Sequence, residues 1–259
     1  MDQETRAALN PYRGRLTTSQ ASIGIDRAKA NAERLLTDAE HLLQTGGSPS
    51  ACTLAALAIE ETSKPAIIRK LLLATSPEEL RRGWKLFSSH QSKAIPWIVP
   101  QIVRSRPGTV ENFMKAYICH NEPALLDAVK QISIYLGCYG NCHWSQPSEV
   151  IEGELTESFI AAARLLIAGG RTSALDTDAG LELWQTHMTG CFSVGYATAN
   201  NKIIDYIYAA ADAGVLDERV IPMEVGFDFI TTALMLADGR VEEQAQWLGV
   251  DLNNPQARS

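Results

Sequence analysis

Residues 48–74 read SPSACTLAALAIEETSKPAIIRKLLLA, and this stretch decides the fold. Ser48 followed by Pro49 is a helix start, because a proline in the first turn has no hydrogen bond to lose and brings its φ already set. Wound at about 100° per residue, Leu54, Leu57, Ile67, Ile68, Leu71 and Leu72 gather on one side, which should face a core. Pro65 lies inside this helix, where it removes one backbone hydrogen bond and should bend the axis near Glu61.

The same helical period extends in both directions. Upstream, Ile25, Ala28, Ala32, Leu35, Ala39 and Leu42 follow three/four spacing, which predicts a long helix over 19–45 stopped by Gly46 and Gly47. Downstream, Thr75-Ser76-Pro77-Glu78-Glu79 caps a helix expected over 77–93. Further helices are expected over 109–119, 123–136, 156–168, 179–198, 200–213, 222–237 and 241–248, with a polar tail at 253–259. Residues 137–147, rich in Gly, Asn and Cys, read as a loop. No segment alternates convincingly with period two, so the fold class is all-α. With no repeat and no low-complexity linker, a boundary near residue 150 is soft: it separates a helical domain at 1–150 from a helical extension at 151–259 packed on it.

Composition narrows the functional classes. The 259 residues, 46% hydrophobic and 20% charged, suffice for a core without disulfides or metal, so no cofactor is expected. A net charge of −7 argues against a whole-surface grip on nucleic acid and leaves only a local RNA contact. No apolar run reaches the roughly 20 residues needed to span a bilayer. The charged start, Met-Asp-Gln-Glu-Thr-Arg, does not resemble a signal peptide, so a cytoplasmic location, with the five cysteines as thiols, is expected.

The informative feature is charge on an apolar helix face. Glu61 and Lys64 fall inside the stripe and Glu60 at its margin, whereas Thr62, Ser63, Arg69 and Lys70 fall outside. A buried charge is costly unless paired. Lys64 stands four residues from Glu60 and three from Glu61, so it can bridge both carboxylates. One negative charge is left over, and the next helix offers His90 and Lys93; packed antiparallel, the two helices would balance it. Two readings stay open: a structural ion-pair cluster or solvated face, and an active site in which carboxylate, lysine and histidine perform acid-base work.

Asn31-Ala32, Asp38-Ala39, Leu42-Leu43 and the run from Ala51 to Lys64, ending Leu-Ala-Ile-Glu-Glu-Thr-Ser-Lys, resemble the AbiV family of bacterial abortive-infection proteins. The Glu-Glu-x-x-Lys and His-x-x-Lys elements are Glu60, Glu61 and Lys64, then His90 and Lys93. Ser63 stands where the family usually has glycine, and Ile134-Tyr135 through Trp144 and Pro147 is similar to a third block. The aspartate expected after the tyrosine is absent, so no role attached to it carries over. The resemblance implies a HEPN-like antiparallel helical bundle extended by further C-terminal helices, a homodimer, and phage defence by arrest of growth or translation. It also implies RNA cleavage with Glu60, Glu61, Lys64, His90 and Lys93 as catalytic residues. The alternative is a non-catalytic protein that binds a phage or translation component. The superfamily's arginine-to-histidine ribonuclease spacing is met only by Arg34 and His41, a match expected by chance.

Cys119, His120, Cys138, Cys142 and His143 offer sulfur and nitrogen ligands, but their spacing fits no familiar zinc site, and no metal is assigned. The helix expected at 241–248 looks like the start of a helix-turn-helix with no recognition helix after it, so specific DNA binding is not expected.

Overall fold

The computed structural model describes residues 10–93, 122–170, 174–217 and 226–237. Helix α1 (Thr18–Gln44) starts at a reciprocal cap: the Gln20 N–H donates to Thr17 Oγ1 at 3.1 Å, and the Thr17 N–H donates to Gln20 Oε1 at 3.0 Å. It ends on Gly46, whose φ of 84° suits glycine; the Gly46 N–H reaches Leu43 O and the Gly47 N–H reaches Leu42 O at 2.8 Å. That tight stop returns the chain antiparallel into α2 (Ser48–Thr62). Buried alanines line both sides of this hairpin, Ala32 and Ala39 on α1 and Ala51, Ala55 and Ala58 on α2, so the axes can approach closely.

The proline bend falls where expected. Helix α3 (Lys64–Leu72) is separated from α2 by Ser63, which closes the break by donating Oγ–H to Glu60 O at 2.7 Å. The 27-residue α1 spans both pieces. Helix α4 (Pro77–Ser88) opens with a Ser76/Glu79 capping box in which Glu79 Oε2 also accepts from the Thr75 N–H at 2.7 Å.

The expected helix over 77–93 is in fact two. Ser89 is extended (φ −82°, ψ 126°), and His90–Lys93 form a separate turn, α5. Ser88 Oγ–H donates to Trp84 O at 2.9 Å, a local bond that competes with helix continuation. After α6 (Glu122–Ile134), the expected loop holds a small antiparallel hairpin, β1 (Gly137–Tyr139) and β2 (His143–Ser145), with Cys138 opposite Trp144. Glycine and asparagine supply the turn, and the strands are too short to have left an alternating pattern.

Helices α7 (Pro147–Val150) and α8 (Gly153–Gly169) follow, then a 3-10 turn at Ala174–Asp176. The pattern expected over 179–198 is interrupted: α9 (Asp178–His187) stops, Gly190 adopts φ 79°, and α10 (Tyr196–Asp212) begins anew. Helix α11 (Gly226–Leu236) completes the described part, and the helices expected at 109–119 and 241–248 lie outside it. The architecture is all-α apart from that hairpin.

Three apolar clusters hold the helices, the smallest of them packing Ala66, Ile67 and Leu71 of α3 with Trp84 of α4 and Met235 of α11. Of the larger two, one joins the C-terminal half of α1, α2, Leu126 of α6, and Phe159, Ile160, Ala163 and Leu166 of α8. The other joins Ile25 of α1, Ile68 and Leu72 of α3, Leu181 and Trp184 of α9, Tyr206 of α10 and Phe229 of α11. Each large side chain removed from water contributes about 1.5–3 kcal/mol. The polar ends are satisfied: Trp184 Nε1–H donates to Arg69 O at 3.0 Å and the Tyr206 hydroxyl to Gly180 O at 3.1 Å. Burial pushes the Tyr206 phenol well above its usual pKa, so it stays a neutral donor. Among the described residues no helix is long and apolar enough to cross a membrane.

Candidate functional site

Glu60 occupies the last turn of α2, just before the break, and is only 2% exposed. Its carboxylate is met from two directions. Lys130 Nζ of α6 lies 2.6 Å from Oε1, and from α5 His90 Nδ1 lies 2.7 Å and Lys93 Nζ 3.6 Å from Oε2. Lys130 also reaches Asp127 Oδ1 at 2.9 Å. The extended Ser89 makes this possible, because it redirects the chain and brings His90 and Lys93 onto α2.

With His90 neutral, two carboxylates (Glu60, Asp127) face two ammonium groups (Lys93, Lys130), so the cluster balances without a charged imidazole. Burial works against the Lys130 charge, but the hydrogen bonds and negative charges of Glu60 and Asp127 outweigh it and raise its pKa above the usual lysine value. His90 differs from the rest in being 54% exposed. A carboxylate that accepts from Nδ1–H leaves the Nε2 lone pair available, and that edge has no partner among the described residues.

Of the expected residues, Glu60, His90 and Lys93 are brought together, whereas Glu61 and Lys64 form a separate pair. Lys64 Nζ lies 2.6 Å from Glu61 Oε1 and over the Phe87 ring, and it does not bridge to Glu60. Depth is also reversed: Glu60, placed at the stripe margin, is the most buried of the three. A single wheel cannot carry its phase across the break at Ser63. Lys130 left no signal, since nothing in the spacing of 123–136 marks it as facing a carboxylate 70 residues away.

Arg69 and Lys70 need the larger correction. Expected outside the stripe, they are 1% and 0% exposed, because α3 is covered by α1, α4 and α11 rather than along one face. Arg69 Nη2 and Nε hold Asp176 Oδ1 at 2.6 and 3.0 Å, Nη1 donates to Thr232 Oγ1, and the guanidinium stacks over Phe229. Lys29 takes the other Asp176 oxygen at 2.6 Å, and Lys70 Nζ donates to Met235 O. The only hint in the sequence was two cations inside an otherwise apolar run. These contacts tie α3 to the C-terminal helices and present no exposed reactive group.

Elsewhere, Arg34 pairs with Asp38 at 2.7 Å on the surface. Cys119 and His120 lie outside the described residues, and among those described no group of three or more His, Cys, Asp or Glu could hold a metal ion.

Apart from one short hairpin the described chain is an all-α bundle, the class of fold to which HEPN-like proteins belong, and its carboxylate, histidine and lysines gather where α2, α5 and α6 meet. The family model for AbiV matches residues 20–168, which include α2 to α7 and nearly all of α1 and α8, and the chain belongs to the AbiV family. No curated protein and no solved structure matches the chain.

Proposed function

We propose that this chain acts in the cytoplasm in phage defence by abortive infection, arresting growth or translation, and that it does so by cleaving RNA with His90 as its acid-base group. Membership of the AbiV family supports the first part. The second rests on one observation, the half-exposed His90 oriented by the buried Glu60 at 2.7 Å. In this reading the Nε2 takes the proton of a ribose 2′-hydroxyl. The 2′-oxygen then bonds to the adjacent phosphorus, the bond to the 5′-oxygen breaks, and the imidazolium returns the proton to that oxygen. Glu60 fixes the ring and offsets its charge during the exchange. Lys93 adds positive charge nearby, while Glu61 and Lys64, paired with each other, are secondary candidates.

A second reading has its own observation: Glu60 and the Lys130 side chain are 2% and 5% exposed, as in a structural hub. The protein would then arrest growth by binding a phage or translation component. The deciding experiment is phage plaque formation on a bacterial host expressing wild type, His90→Ala or Glu60→Gln, with total RNA followed after infection. Protection accompanied by RNA breakdown, both lost in His90→Ala, is the expected result. Protection that survives in His90→Ala with intact RNA overturns the nuclease and favours the binding protein. A homodimer is proposed as the working form, and a single monomer mass by light scattering at micromolar concentration overturns it.

A further inference from the structure

The β1–β2 hairpin carries two thiols at the surface. Cys138 lies on β1 and Cys142 in the turn closed by the pair Tyr139↔His143, and both are exposed. Cys142 has φ 65°, the only non-glycine with positive φ among the described residues. The left-handed residue ending such a short hairpin turn is ordinarily glycine, so a cysteine is held there at a cost in backbone strain. Its conformation places Sγ 3.9 Å from the Sγ of Cys138, which donates its S–H to it. The other described cysteines, Cys52 and Cys191, are buried in the apolar core.

We propose that Cys138 and Cys142 are a redox modification site, closing reversibly into an intramolecular disulfide by exchange with a small disulfide of the glutathione class. The Cys142 thiolate attacks one sulfur of the small disulfide, forming a mixed disulfide and releasing one small thiol. Cys138 gives up its proton and attacks the Cys142 sulfur. The protein S–S bond forms as the mixed one breaks, and the second small thiol leaves. Two protein thiols are oxidised and one small disulfide is reduced to two thiols. Cys142, at the exposed turn, is the attacking group, and Cys138, on the strand beside it, is the resolving one. The closed link includes Cys138, the residue directly across from Trp144, which is 61% exposed, so that indole reports on it.

The test equilibrates the purified full chain in glutathione buffers of graded ratio, traps free thiols with acid and an alkylating agent, and reads the intact mass and the linked peptides. The expected result is loss of two hydrogen atoms, a 138–142 link, a fall in Trp144 fluorescence, and full reversal by dithiothreitol. Cys138→Ser should accumulate a stable glutathione adduct at Cys142, and Trp144→Phe should keep the link while losing the fluorescence change. Linkage of Cys142 to Cys119 or to a second chain, or free thiols at both positions across the whole series, overturns the proposal.

Discussion

Lys130 Nζ lies 2.6 Å from Glu60 Oε1, joining α6 to α2 across 70 residues of sequence with both side chains removed from water. Each charge is tolerated because the other is present, and the attraction is strong where little solvent screens it. The same contact sets the depth of the carboxylate that orients His90, so the stability of the bundle and the geometry of the candidate site share one group.

Lys130→Met should therefore cost about 3–5 kcal/mol in urea unfolding, since it removes the ammonium group 2.6 Å from the buried Glu60 and leaves Lys93 at 3.6 Å as its nearest lysine. Lys130→Met combined with Glu60→Leu should recover much of the loss, because the orphaned charge is gone. A single-variant cost under about 1 kcal/mol would show that the pair is solvated.

The pH dependence of this pair has a definite sign. Lys130 has a raised pKa, so its contribution is fully present below the unfolded lysine value of 10.5 and is lost only as pH rises through the folded value above it. The stability gap between wild type and Lys130→Met should stay flat from neutral pH to the edge of that range and shrink beyond it. A gap that closes between pH 7 and 9 would contradict the assignment. Glu79 gives the opposite case. Burial is the largest single influence and raises its pKa, but hydrogen bonds from Thr75 and Ser76 and the charge of Arg82 together outweigh it and lower the pKa, so its capping contribution is present above the usual carboxylate value of 4.5 and fades in acid.

What the sequence disclosed follows from the range of the forces involved. Local determinants were legible: the Ser76 cap, the Gly46 stop and the bend at Pro65 are each fixed by residues within a few positions. That His90 and Lys93 would meet one of the two carboxylates was also legible, because charges on an apolar face demand partners and the next helix offered them; that the carboxylate is Glu60, with Lys64 pairing Glu61 alone, was not. Lys130, Asp176 and Thr232 were not, since each acts across a tertiary contact that leaves no periodic mark. Arg69 and Lys70 were misplaced for a related reason: a hydrophobic wheel assumes one buried face, and α3 is enclosed on several.

Two glycines should separate soft from hard steric limits. An added Cβ at Gly83 of α4 would lie 2.5 Å from Leu71 Cδ2, the movable end of a side chain, whereas at Gly180 it would lie 2.5 Å from Leu175 O, part of the turn that presents Asp176. Gly83→Ala should cost about 1 kcal/mol after the gain in helix propensity, and Gly180→Ala about 3 kcal/mol. Thermal unfolding of the two variants gives the comparison, and equal costs would mean that the turn yields as readily as the leucine.

Thr53 offers a stabilising change. Its Oγ1 is buried with no hydrogen-bond partner among the described residues, so the hydroxyl was desolvated without return. Thr53→Val keeps the branched shape and should raise stability by about 1 kcal/mol in denaturant unfolding. A loss of stability would reveal a partner for that oxygen.

Arg69 tests whether geometry or charge holds the C-terminal helices. Its guanidinium delivers two hydrogen bonds to Asp176 Oδ1, one to Thr232 and a stack on Phe229, a set that needs a planar fork. Arg69→Lys preserves the charge but can satisfy only part of that set. If geometry dominates, it should cost about 2–3 kcal/mol and also loosen α9 and α11, seen as faster amide exchange around Trp184 and Thr232. If charge alone matters, Lys29 already neutralises Asp176 at 2.6 Å and the lysine variant should unfold close to wild type. Arg69→Met separates the cases further: it leaves Asp176 one cation instead of two, so a cost equal to that of Arg69→Lys would assign the whole effect to the lost fork.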